Sequence, residues 1–222
     1  MARVLIIGAT GKVGSRLARR LKRNGHEVVG TCRRADQAAA LRLEGVEPVE
    51  CDIVSVGVAE MTSLMSGIDA VVFTAGAAGA GRELTDAIDG EGVLKASAAA
   101  RAAGVKRFVL VSAFPDAWRS KRMPESFEHY MFVKRQADVH LASTDLDWII
   151  LRPGTLLDTD ATGAIRLGMA IPYGEVSRDD VASTIVALIE EPRLRRVILE
   201  LTSGSTPVQQ AMSDQARMFR IE

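Results

Sequence analysis

The spacing of apolar residues along this chain switches repeatedly between two periods, and the switches predict its elements. Val4-Leu5-Ile6-Ile7 is a continuous apolar run, the pattern of a strand covered on both faces. From Val13 the period lengthens: Val13, Leu17 and Leu21 form a helical stripe that Asn24-Gly25 ends. A second strand over 26–32, a helix through 37–43 stopped by Gly45 and a third strand over 46–50 follow. A helix over 58–65 ends at Gly67, and a fourth strand over 69–73 closes at Thr74-Ala75-Gly76. The pattern then gives a helix over 84–103, a strand over 107–111, a Pro- and aromatic-containing stretch to Pro124, and a helix over 125–143. A sixth strand over 148–151 meets Pro153-Gly154, and 154–176 reads as irregular. A helix over 179–190, a strand over 197–201 and a short helix over 208–219 complete the chain.

Strand and helix alternate from end to end. That order implies parallel strands joined by right-handed crossovers, an α/β doubly wound sheet with helices on both faces. Ligands of such sheets sit beyond the carboxyl ends of the strands, where strand order reverses. The segments expected to carry chemistry are therefore 8–14, 32–36, 51–53, 74–82, 112–130 and 152–176. At 222 residues, with no internal repeat or linker, one domain is expected, with segments 113–130 and 154–176 as its lid or substrate region.

The first of these segments is the most informative. Gly8, Gly11 and Gly14 lie between a buried strand and a helix that begins near Lys12. Gly8 permits the turn, Gly11 lets a phosphate approach the backbone, and Gly14 lets the helix pack against the strand. The free N–H groups of the helix start favour an anion. Gly8, Thr10, Gly11, Lys12, Val13 and Gly14 are thus the expected cradle for a dinucleotide pyrophosphate.

The second strand ends Thr31-Cys32-Arg33-Arg34, with no acid between Val28 and Ala35 to take a ribose 2′-hydroxyl. Arg33 and Arg34 would instead receive a 2′-phosphate, or else simply solvate the next helix, so the expectation is NADP(H) over NAD(H). Asp52 either accepts from the adenine amino group, with Ile53 against the ring, or caps a helix before Ser55. Thr74, Ala75 and Gly76 leave room for backbone contact with ribose or pyrophosphate, or form only a turn. Tyr130 and Lys134 are four apart on a helix and share a face. A lysine ammonium lowers the pKa of a neighbouring phenol, and such a tyrosine can exchange a proton with a carbonyl or hydroxyl. Ser112, after the fifth strand, would orient the substrate oxygen. Trp118, Met123, Phe127 and Met131 either line an apolar substrate pocket or pack a lid.

Composition narrows the partners. The chain is 47% hydrophobic and 25% charged, an ordinary globular balance. Its 28 basic and 28 acidic side chains cancel, so it has no electrostatic footprint for nucleic acid or an anionic membrane. Cys32 and Cys51 are the only cysteines, and neither they nor the scattered His26, His129 and His140 suggest a disulfide framework or a metal site. No apolar stretch is long enough to cross a bilayer, and the first strand starts at once, so a cytoplasmic setting without a leader is expected.

The glycine loop, Asp52, Thr74-Ala75-Gly76, Val109-Leu110-Val111-Ser112, Tyr130 with Lys134, Leu151-Arg152-Pro153-Gly154 and the stretch from Val176 to Ala182 together resemble an atypical short-chain dehydrogenase/reductase. The likeness is to the NmrA-like NAD(P)-binding group, with its flavin and biliverdin reductase relatives, and spans residues 3 to 207. It implies a Rossmann-type fold, Lys134 on the nicotinamide ribose, Pro153 beside the nicotinamide and Arg33 on the adenosine phosphate. Ala113 stands where relatives often carry a second serine. The implied activity is NADP(H)-dependent hydride transfer to a small carbonyl, quinone or flavin-like acceptor, by a monomer or homodimer. The alternatives are a non-catalytic cofactor sensor and a sugar-nucleotide epimerase or dehydratase.

Overall fold

The computed structural model describes residues 1–218. Among the described residues nine strands form one sheet in the order β11 (Thr206–Pro207), β8 (Ala164–Gly168), β10 (Val197–Ser203), β6 (Asp147–Pro153), β5 (Arg107–Val111), β4 (Ala70–Phe73), β1 (Arg3–Ile7), β2 (Glu27–Cys32) and β3 (Glu47–Glu50). The central strands β1 (Arg3–Ile7), β4 (Ala70–Phe73), β5 (Arg107–Val111) and β6 (Asp147–Pro153) are parallel neighbours, and β2 (Glu27–Cys32) and β3 (Glu47–Glu50) extend the other wing. Strand order reverses between β1 and β4. β10 (Val197–Ser203) adds in parallel to β6.

The continuous apolar runs are explained by a core on each face. Val4 and Ile6 of β1, Val72 of β4, Val109 of β5 and Ile149 of β6 face α1 (Lys12–Arg23), α7 (Arg178–Glu190) and α8 (Val208–Met218). Their alternates Leu5, Ile7, Phe73, Phe108 and Ile150 face α3 (Val58–Leu64), α5 (Gly92–Ala102) and α6 (Glu125–Ala142). Side chains alternate across a strand, so a strand with two covered faces must be apolar at every position. α2 (Ala35–Leu43) buries only Leu41 and lies at the sheet's far wing.

Three expectations are corrected. Segment 154–176 is not irregular: β7 (Thr155–Leu157) pairs in parallel with β9 (Glu175–Ser177), and β8 (Ala164–Gly168) runs antiparallel against β10 and β11 (Thr206–Pro207). β7 and β9 have three residues each, too few for a pattern, and β8 alternates instead of forming a continuous apolar run. The alternation of buried Ile165 and Leu167 about exposed Arg166 was the available signal. The helix expected over 84–103 is broken: α4 (Arg82–Leu84) passes into a π-helical segment, Thr85–Glu91, before α5. The sixth strand continues to Pro153 instead of ending at Leu151. In the last helix Phe219 lies outside the described residues. Among those described, no helix is long and apolar enough to cross a membrane.

Candidate active site

A cleft of about 670 Å³ opens over the carboxyl ends of β1, β4 and β5, at the reversal of strand order. Its floor at one end is the glycine loop. Gly8 has φ +93°, and a Cβ there would lie 2.6 Å from Ala75 N. Gly11 is the N-cap of α1, whose first turn carries neither a side-chain cap nor an acidic residue, so its N–H groups face the cleft uncompensated. Gly14 has another duty. A Cβ there would meet Gly8 O at 2.2 Å, so it serves the packing of helix on loop and does not line the cleft. Thr10, Lys12 and Val13 do line it, with Lys12 Nζ turned to Asp158 at 2.7 Å. Arg178 also lines the cleft and shares that aspartate, at 3.0 Å. Arg16 is its third cation, at 3.5 Å, and together with Lys12 and Arg178 it holds the Asp158 carboxyl below its usual range, the Lys12 hydrogen bond most of all.

Along the wall lie Thr31, Cys32, Arg33, Cys51, Ile53, Thr74, Ala75 and Gly76. The two arginines separate here. Arg33 reaches the cleft, whereas Arg34 is held by both oxygens of Asp36 at 3.0 Å and is absent from the wall. Asp52 is also off the wall and caps no helix: its Oδ1 accepts from Val54 N at 3.2 Å in a turn, and α3 begins only after Gly57, its N-cap. Pro153 is buried in β6 opposite Leu201, and Leu156 of β7 lines the cleft in its place.

The other end gathers Ser112, Phe127, Tyr130 and Lys134. Tyr130 and Lys134 share one face of α6 as expected, but the phenol is not acidified. Burial raises its pKa, Asp89 and Asp138 add to that, and Lys134 only partly opposes it, so Tyr130 is a neutral O–H at physiological pH. Lys134 Nζ donates to Val111 O at 3.0 Å and to Asp89 Oδ1 at 3.4 Å. Burial alone would lower the pKa of this ammonium, but Tyr130 and the carboxylates of Asp89 and Asp138 outweigh it and raise the pKa. Since the phenol is neutral here, the two carboxylates keep the charge in place. An ammonium has three N–H groups, so one remains for a ligand.

Asp89, 1% exposed, lines the cleft and is the candidate site residue that sequence reasoning missed. Its second oxygen accepts from Ala77 N at 2.9 Å, so it ties the loop after β4 to Lys134. The π-helical segment aims it inward, and π-bulges are often found at functional sites. Its only sequence signal was an acid within a helical stripe. Phe127 joins the cleft wall while Met131 is buried and Trp118 stands 41% exposed, so the four apolar residues do not act together. The histidines are dispersed: His26 bonds Glu190, His129 bonds Asp86 and His140 bonds Ser97.

Residues 8–192 match the family model for NAD(P)H-binding domains. The chain belongs to this NAD(P)H-binding family. The match is consistent with the Rossmann-fold, NAD(P)-binding group that the sequence resembles. The chain is 34% identical over 212 residues to the uncharacterised sugar epimerase YhfK of Bacillus subtilis, covering 95% of this chain and 98% of that protein. A Bacillus halodurans structure assigned as a NAD-dependent epimerase/dehydratase superposes with a TM-score of 0.88 at 32% identity, over 96% of this chain and all of the other. ChuY, an anaerobillin reductase from Escherichia coli O157:H7, gives 0.77 at 27% identity, over 90% of this chain and 97% of its own.

Proposed function

We propose that this protein is a NADP(H)-dependent oxidoreductase that transfers hydride to a small carbonyl, quinone or flavin-like acceptor. The observation that carries the reading is a neutral phenol, Tyr130, one helical turn from the buried ammonium of Lys134, at the far end of a cleft from an uncapped helix N-terminus.

The residues fit a dinucleotide. Gly8 and Gly11 leave backbone where a side chain would intrude, and the α1 N–H groups favour its pyrophosphate. Arg33 has no acidic partner for its guanidinium among the described residues, which suits a 2′-phosphate, and no acid stands at the end of β2 to suit a free 2′-hydroxyl. Ile53 offers an apolar surface to the adenine, and the third N–H of Lys134 suits a ribose hydroxyl. When bound, the reduced nicotinamide supplies the hydride. Tyr130 supplies the proton to the acceptor oxygen, and the Lys134 charge stabilises the phenolate left behind. Because the phenol must start protonated and its pKa lies above the ordinary value, carbonyl reduction is expected to hold steady through neutral pH and fall only in alkali.

Steady-state oxidation of NADPH across carbonyl, quinone and flavin panels tests the reading. With a carbonyl acceptor Tyr130→Phe should lower kcat by roughly 10²–10⁴-fold and leave NADPH affinity nearly unchanged, while Lys134→Ala damages both. With a flavin or quinone the tyrosine effect should be mild. Tight NADPH binding without turnover of any acceptor would favour the sensor. The likeness to YhfK supports the epimerase reading, which would show interconversion of a nucleotide sugar with no net NADPH consumed.

A further inference from the structure

α1 and α7 pack against each other, and where they begin four cations share two carboxylates: Lys12, Arg16, Arg20 and Arg178 against Asp158 and Asp179. Three elements build this corner. Lys12 is the first residue of α1, and Arg16 lies one turn on, on the same face. Asp158 directly follows β7 and Arg178 directly follows β9. Those strands run in parallel with Leu157 opposite Ser177, so the acid and the arginine leave them together.

The two carboxylates do different work. Asp179 takes Arg16 Nε at 2.8 Å and Arg20 Nη2 at 3.4 Å, and none of these three lines the cleft. Asp158 holds the cations that do. Its Oδ2 accepts from Lys12 Nζ at 2.7 Å, and its Oδ1 lies 3.0 Å from Arg178 Nη1. Among the described residues Asp158 is the only acid that Lys12 or Arg178 meets. Lys12 also stands at the start of a helix whose first turn has no side-chain cap and no acid, so its ammonium and the free N–H groups favour the same anion. The corner carries two more cations than carboxylates, which matches the charge of a pyrophosphate bridge.

We infer that Lys12 and Arg178 are pyrophosphate ligands and that Asp158 is a built-in competitor, whose carboxylate and the bridge of an arriving dinucleotide contend for the same two cations. The exchange is an easy one. The side chains of Lys12 and Asp158 are 67% and 44% exposed, and ion pairs that open to water are weak. Arginine–phosphate bonds are charge-assisted and can be bidentate, so the phosphate displaces the carboxylate. Asp158 thereby lowers the affinity for NADPH and NADH alike, whereas Arg33 at the other phosphate divides them. This inference rests on the dinucleotide reading of the cleft and not on hydride transfer.

Fluorescence titration with NADPH and NADH, and displacement of NADPH by ADP or by 2′-AMP, test it without turnover. ADP carries the bridge alone, and 2′-AMP carries the Arg33 phosphate alone. Asp158→Asn, shown to be folded by circular dichroism, should bind NADPH, NADH and ADP about five- to tenfold more tightly than wild type and 2′-AMP equally well. Arg178→Gln should weaken the first three and spare 2′-AMP. In a folded Lys12→Met/Arg178→Gln background, adding Asp158→Asn should bring no gain. Unchanged or weaker ADP binding in Asp158→Asn overturns the competition, and so does a gain that 2′-AMP shares or that survives loss of both cations, since either is a diffuse field effect. NADPH binding by wild type with no gain in Asp158→Asn removes the competitor and leaves the dinucleotide reading in place. The expected gains in a protein that reduces no acceptor would uphold the competitor and count against hydride transfer instead.

Discussion

Replacing Asp89 by Asn removes one negative charge from a position 1% exposed while keeping size and one acceptor. The amide oxygen can still take the Ala77 N–H, but its N–H₂ then faces the Lys134 ammonium, which is left with Val111 O as its close partner. Breaking a buried ion pair from one side costs about 3–5 kcal/mol, and because Asp138 remains as a second carboxylate near the lysine, about 2–3 kcal/mol is expected here. For a domain of this size that lowers the thermal midpoint by about 5–10 °C. The pH dependence has a definite sign. The folded pKa of Lys134 lies above its unfolded value, so the stability it contributes is fully present below the ordinary lysine pKa of about 10.4 and is lost as pH rises through the folded value. The gap between wild type and variant should therefore be flat from about pH 6 to about pH 9 and narrow only in stronger alkali. Circular dichroism melts across that range, with NADPH titration by fluorescence on the same samples, make the measurement. A variant that melts with wild type and binds NADPH equally well would refute the claim that Asp89 holds the lysine and the loop after β4 together.

The glycine loop separates packing from ligand space. Gly14→Ala drives a methyl to 2.2 Å from Gly8 O and should destabilise the fold, whereas Gly11→Val starts from a contact of 3.2 Å and should retain the melting midpoint while losing NADPH binding. Thermal melts and cofactor titration of both variants decide it, and a stable Gly14→Ala would contradict the geometry. The arginines should also part company. Arg33→Ala should reduce the preference for NADPH over NADH by about ten- to a hundredfold, and Arg34→Ala, already paired with Asp36, should leave it nearly unchanged. Equal effects in the two titrations would show that the Arg34 pair opens to the cofactor.

The sequence by itself determined what depends on near neighbours in the chain. Uninterrupted apolar runs such as Val4–Ile7 required strands covered on both sides, glycines at 8, 11 and 14 required a tight loop under a helix, and four-residue spacing put Tyr130 and Lys134 on one face. Local pattern could not follow the chain where strands were too short to show a period, which is why β7 and β9 went unread. Nor could it foresee the π-helical segment that turns Asp89 inward, because its effect appears only against Lys134, 45 residues away. Adjacency in space settled the remaining questions. Asp36 claims Arg34 and leaves Arg33 at the cleft, burial overrides the lysine in raising the Tyr130 pKa, and Asp158 after β7 meets Lys12 of α1 and Arg178 of α7. Charge, desolvation and hydrogen-bond partnership are properties of a neighbourhood, and in this fold the neighbours that set the chemistry come from different strands and helices.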